Sequence, residues 1–141
     1  MSTDPRQVRD SLQRQSFMRL LGAHAPLVEP GHVVIELPFR EDLCQQNGYL
    51  HAGVITSVAD SACGYAALTL MPSGSDVLSV EFKVNLLSPG RGEVFRADAR
   101  VVRSGRTLTV CQAEVTAATA GHPDVSVALM QATMIGRPQV S

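Results

Sequence analysis

The chain has 141 residues, enough for one ordinary domain and too few for two independent cores. Lys plus Arg is 12 and Asp plus Glu is 13, a formal net charge of -1, which excludes the clustered basic surface that binding nucleic acid by bulk charge requires. Hydrophobic residues at 45% exclude a disordered chain, and aromatics at 4% with no Trp demand an aliphatic core and leave no base-stacking platform.

Asp4-Pro5 predicts a helix start, with Asp4 as N-cap and Pro5 at the first helical position. Asp4, Arg6, Arg9 and Asp10 interrupt any signal-peptide pattern. Val8, Leu12, Phe17, Leu20 and Leu21 continue one loosely amphipathic helical segment within residues 1–22, stopped at Gly22. Val28 to Pro30 leads into a Pro-Gly turn at Gly31. Val33, Ile35, Leu37 and Phe39 then recur at period two, a half-buried strand. Residues 40–50 are polar and contain Asn47-Gly48, so they read as a loop.

Residues 52–71 change period. Val54, Val58, Ala62 and Tyr65 recur at helical steps, and Ile55, Ala59, Cys63, Ala66 and Ala67 fill the other faces. A helix apolar almost all round is a buried one. Asp60 and several small polar residues argue against a membrane span, and Met71-Pro72-Ser73-Gly74 ends the helix. Strands are predicted over 77–87, with Val80, Phe82, Val84 and Leu86 in alternation, and over 93–103, 107–118 and 125–135. Ser104-Gly105 joins two of them as a hairpin.

The sum is an α+β fold, one antiparallel sheet wrapped around one long central helix, in a single domain over residues 1–141. The far face of so long a sheet also carries apolar residues and is expected to meet another subunit. Cys44, Cys63 and Cys111 are odd in number and lack metal-ligand spacing. They read as small core residues of a protein in a reduced, cytoplasmic compartment, with no metal, no membrane partner and no activated thiol.

Three features converge on residues 45–60. A polar loop, Gln45 to Gly53, feeds the buried helix, whose first turn offers unpaired N–H groups and the positive end of the helix dipole. Such groups stabilise an oxyanion when aimed at a carbonyl. His51 stands beside that start. Asp60 lies about two turns further on in an apolar helix, where a carboxylate must find a partner, a cleft or an interface.

Asn47-Gly48-Tyr49-Leu50-His51-Ala52-Gly53-Val54, followed by Ser57-Val58-Ala59-Asp60-Ser61-Ala62, resembles the signature of hotdog-fold acyl-CoA thioesterases, in the branch of PaaI and thioesterase superfamily member 2. That signature is a G-x-x-H-G-G loop followed by a helix with an acidic residue nine positions after the His. Ser79-Val80-Glu81-Phe82 through Leu87-Ser88-Pro89-Gly90, and Val101 to Thr107, resemble the family's later strand and hairpin.

The resemblance implies hydrolysis of an aryl-, arylacetyl- or medium-chain acyl-CoA, with coenzyme A as part of the substrate and no separate cofactor. By position, Asp60 matches the nucleophile or general base, and the Ala52 N–H polarises the thioester carbonyl. Gln45 occupies the place of a loop Asn that orients the thioester, His51 steadies the loop, and Ser79 positions the water or carboxylate. Asn47, Gly48 and Gly53 fall in the substrate loop. Arg91, Arg103 and Arg106, at turns, suit the phosphates of coenzyme A.

The chain departs from the pattern twice: Ala52 stands where the family has Gly, and Gln45 is one methylene longer than Asn. Those departures motivate an alternative, a hotdog protein that binds acyl-CoA without hydrolysing it. A hotdog dehydratase is a further reading, which the Asp60 spacing fits less well. The resemblance also implies a homo-oligomer, a dimer or dimer of dimers, with the site between two subunits.

Overall fold

The computed structural model describes residues 2–138, so the first residue and the last three of the expected domain lie outside the described residues. The elements are α1 (Pro5–Arg14), α2 (Ser16–Leu21), β1 (His24–Glu29), β2 (His32–Pro38), a 3₁₀ turn at Glu41–Leu43, α3 (Ala52–Leu68), β3 (Ser75–Leu86), β4 (Val94–Ser104), β5 (Leu108–Ala118) and β6 (Val125–Pro138). The six strands form one antiparallel sheet in the order β1-β2-β4-β5-β6-β3. α3 packs on one face of it, against β2 through β6. This is the hotdog arrangement, a sheet curled around a central helix.

The core is aliphatic, as the composition requires. Val33, Ile35 and Leu37 of β2, Ala97 and Ala99 of β4, Val115 of β5 and Met134 of β6 are buried against Ala59, Ala62 and Ala66 of α3. Small residues on α3 let the helix axis approach the sheet closely.

The N-terminal segment differs from its expected single helix. It breaks at Gln15, which is extended at φ −74° and ψ 105°. The buried residues are Val8 and Leu12, then Met18 and Leu21; Phe17 and Leu20 are exposed. A step of six between Leu12 and Met18 is out of phase with a 3.6-residue turn, and the break at Gln15 absorbs the slip. β1 is a strand where the sequence reading has only the approach to a turn. Pro26 conceals it, and Pro is tolerated because β1 is an edge.

β3 forms where the alternation of Val80, Phe82, Val84 and Leu86 predicts a strand, but most of that row is not buried. It is the other edge, bulged after Ser79, and Leu78, Val80, Phe82 and Leu86 are 46%, 53%, 42% and 52% exposed. The far face of the sheet carries exposed apolar groups at one end and an isolated Leu129, 47% exposed, among polar residues at the other. At the first end Leu108, Ile135 and Leu78 form a cross-strand row. Beyond it the face holds charged and polar residues such as Arg96 with Glu36, Asp98, Gln112 and Gln131.

Candidate active site

The loop before α3 is built by its own polar groups. The Gln45 N–H donates to the Tyr49 carbonyl at 2.8 Å, and Gly48 turns the chain at φ +85°, a left-handed conformation that favours Gly. The Gln45 side-chain carbonyl accepts from the N–H groups of Asn47 and Tyr49, so it is folded back into the loop. The loop is pinned to the body by His51 N–H to the Leu43 carbonyl at 3.0 Å and Leu50 N–H to the Gly90 carbonyl at 2.9 Å. A Cβ on Gly90 would lie 2.9 Å from that Leu50 carbonyl oxygen, so this crossing requires glycine.

His51 is the N-cap of α3, in the extended conformation at φ −61° and ψ 136°. Its Nδ1 accepts from the Gly53 N–H at 2.8 Å. The accepting nitrogen carries no proton, which leaves the ring proton on Nε2. Gly53 is matched to this cap, since a Cβ there would lie 3.0 Å from Nδ1. The Val54 and Ile55 N–H groups go to the His51 carbonyl. Among the described residues the Ala52 N–H alone of this first turn has no acceptor, and Ala52 is half-buried. The helix start thus spends its donors internally except the one that the sequence reading assigns to the thioester.

Asp60 is half-buried on α3, and its Oδ1 accepts from the Ser79 hydroxyl of β3 at 2.6 Å. The two residues border a cavity of about 190 Å³ between α3, β3 and α1. α3 is therefore not buried all round. Gly53, Ser57, Asp60 and Ser61 form a small, polar stripe that stays partly open, while the second half of the helix is buried from Ala62 to Leu68.

Distance separates the two chemical ends of α3. Ala52 and Asp60 are eight residues apart on one straight helix, about 12 Å along its axis. A single thioester carbonyl cannot take the Ala52 N–H on its oxygen and Asp60 at its carbon within one chain.

The arginines divide similarly. Arg91 donates to the Tyr49 hydroxyl at 3.0 Å and stacks 5.3 Å from the centre of its ring, so it belongs to the loop. Arg106 lines a different cavity, with Met71 and Arg137, beyond the C-terminal end of α3. Arg103 is exposed near the same hairpin. Two of the three expected phosphate ligands thus lie at the far end of a 17-residue helix from the loop.

All three thiols are held protonated. Burial pushes Cys111 up to about 11 and Cys63 higher still, and desolvation with nearby Glu41 and Asp42 raises Cys44. None is an activated nucleophile. The sequence reading missed Ser11, Gln15 and Tyr65, which border the Asp60 cavity. The available signal was a Tyr on an apolar helix, because a buried phenol needs hydrogen-bond partners.

Comparison with known proteins gives the family of the chain. The thioesterase superfamily model matches residues 47–121, which include the loop from Asn47 onward, α3 and the Ser79 strand. A solved thioesterase family protein from Silicibacter pomeroyi is 46% identical, with a TM-score of 0.90 over 96% of this chain and 98% of that one. The chain belongs to the thioesterase superfamily. The 1,4-dihydroxy-2-naphthoyl-CoA hydrolase of Listeria monocytogenes is 27% identical over 96 residues, 68% of this chain and 78% of that protein. A relative from Saccharolobus solfataricus is 36% identical over 87 residues, 62% of this chain, and the match spans 61% of that relative's length. Among the described residues no helix is long and apolar enough to cross a membrane.

Proposed function

We propose that the protein is an acyl-CoA thioesterase that hydrolyses an aryl-, arylacetyl- or medium-chain acyl-CoA to the free acid and coenzyme A. The observation that carries the reading is the Asp60 carboxylate, half-buried at a cavity and held by Ser79 at 2.6 Å. As general base, Asp60 takes a proton from water while the water oxygen bonds to the thioester carbon. The carbonyl oxygen becomes an oxyanion and accepts from the Ala52 N–H, which the helix dipole favours. Collapse breaks the carbon–sulfur bond, and Asp60 returns its proton to the leaving sulfur, so coenzyme A departs as the thiol and Asp60 is a carboxylate again. Attack by Asp60 itself, followed by hydrolysis of the anhydride, uses the same groups.

The site is completed by a second copy. α3 runs antiparallel to β3: Gly64 lies by Val77, Asp60 by Ser79, and Leu50 and Ile55 by Gly90, just past the end of β3. Antiparallel pairing of two β3 edges about a two-fold axis brings Asp60 of one chain toward the α3 start of the other. That resolves the 12 Å separation. A homodimer, alone or as half of a tetramer, is therefore the working unit. Arg91, Arg103 and Arg106 are candidates for the coenzyme A phosphates, and Asn47 and Gly48 for the thioester loop.

The departures at Gln45 and Ala52 motivate a second reading, acyl-CoA binding without hydrolysis. The Gln45 carbonyl is spent inside the loop, so only its NH₂ can reach a thioester. Release of free thiol from a panel of acyl-CoA esters, compared between the wild type and Asp60→Asn, separates the two. The thioesterase reading expects kcat to fall by about 10²–10⁴-fold with a smaller change in KM. Saturable binding with no turnover by the wild type would establish the carrier instead.

A further inference from the structure

The cavity beside Asp60 ends on a cluster that the hydrolysis itself does not use. Tyr65 is buried, one turn and a half beyond Asp60 on α3. Its hydroxyl meets the Ser11 hydroxyl at 3.1 Å and accepts from the Gln15 side-chain N–H at 3.2 Å. All three residues line the cavity. Gln15 is the extended residue that separates α1 from α2, so the break in the N-terminal segment delivers this amide to the site.

A proton count shows what the cluster lacks. The two hydroxyls own two protons and share one hydrogen bond between them. Whichever of them donates, the other's proton has no acceptor among the described residues. The wall therefore offers one donor to whatever fills the cavity.

Charge narrows the occupant further. The lining contains the carboxylates of Asp60 and Asp76 and no cation. Arg137, the ladder partner of Asp76 on β6, makes no ion pair with it among the described residues and lines another cavity. Arg14 and Asp10, one charge of each sign, line the adjoining depression. An acyl chain ending in a carboxylate would meet like charge here, whereas a hydroxyl can accept from the wall and donate to Asp76.

Length follows from the helix. Asp60 and Tyr65 are five residues apart, about 7.5 Å along the axis. An extended six-carbon acyl chain with a terminal hydroxyl spans about 7 Å from its carbonyl carbon.

We propose that Ser11, Gln15 and Tyr65 form the polar end wall of the acyl pocket and select thioesters whose compact acyl group ends in a neutral hydroxyl. This rests on the thioesterase reading above. The test uses three esters identical except at the far end: hexanoyl-CoA, 6-hydroxyhexanoyl-CoA and adipoyl-CoA. The wild type is expected to prefer hydroxyl over methyl by roughly three- to tenfold in kcat/KM, the range one added hydrogen bond supplies. Adipoyl-CoA is expected to be the poorest substrate.

Tyr65→Phe and Ser11→Ala should each collapse the hydroxyl-to-methyl ratio toward one, and Asp76→Asn should raise adipoyl-CoA relative to hexanoyl-CoA. Ser11 is half-buried on α1, so its truncation tests the wall even if the Tyr65 variant is unstable. Hydrolysis of all three esters at equal rates, or ratios that survive both wall variants, overturns the end wall and leaves the thioesterase reading standing. Hydrolysis of none of them or of any other acyl-CoA by the wild type overturns that reading and the end wall with it.

Discussion

The two edges of the sheet are finished differently. β1 has six residues, contains Pro26, and lies under α1, where the Arg9 side chain donates to the Ala25 carbonyl at 3.2 Å. A short strand, a proline and a covering helix are the ordinary devices that stop an edge from pairing. β3 has 12 residues and no proline, and its apolar side chains stand in the open. One edge is closed by the chain itself, and the other stands open, where the proposed second copy would pair. The lesson concerns function, because Ser79 and Asp60 lie at the open edge. The chain buries its carboxylate only halfway, and the proposed dimer would supply the rest of the site.

If the open edge completes the site, damage there should resemble damage to the chemistry. Phe82→Lys places a charge in the pairing strand. It is expected to shift the protein toward monomer in analytical ultracentrifugation and to lower kcat/KM by about 10²-fold or more, the effect of losing an oxyanion donor. The matching change at the closed edge, Leu27→Lys at a half-buried position of β1, should leave the oligomeric state unaltered. A monomeric Phe82→Lys protein with wild-type turnover would end the comparison.

Ser79→Ala sharpens it on a smaller scale. It removes the one side-chain hydrogen bond to Asp60 among the described residues and is expected to lower kcat by about ten- to a hundredfold, as losing a bond to a charged group does. The dimer should persist, since Ser79 acts on the carboxylate and not on the pairing. His51→Ala removes the cap on Gly53 and should lower the denaturant-unfolding free energy by about 0.5–2 kcal/mol. Smallest of all is the effect of thiol chemistry. The Cys63 and Cys111 thiols are raised by burial, Cys111 to about 11, so both remain protonated at pH 8. Iodoacetamide at that pH should label at most Cys44 in the native protein, with mass spectrometry as the readout.

Much of this was legible in the residues. The four long strands and α3 announced themselves because their periods of two and of about 3.6 persist over ten or more residues. β1 was hidden because Pro26 reads as a breaker until the strand is known to be an edge. The break at Gln15 was hidden because no local signal marks it, only a slip in phase between Leu12 and Met18. Asp60 stood out as a charge in an apolar helix. Its bond to Ser79 joins residues 19 positions apart and came only through the family resemblance. The Ser11–Gln15–Tyr65 cluster was not legible at all. Ser11 lies on the polar side of a surface helix and Gln15 at the break that ends it, and their common target is set by how that helix packs.

The central claim is that Ala52 and Asp60 act on one thioester from two different chains. Ala52→Pro removes the N–H with little else. Proline is accepted at the first helical position, and the preceding His51 already has the extended conformation proline demands. Asp60→Asn removes the base. Each variant alone should be nearly inactive. Co-refolded in equal amounts, half of the dimers should be mixed, and each mixed dimer should hold one intact site of two. Activity should then recover to about a quarter of the wild-type value. No recovery on mixing, with mixed dimers demonstrated by differential tags, would place both groups in one chain's site and contradict the account.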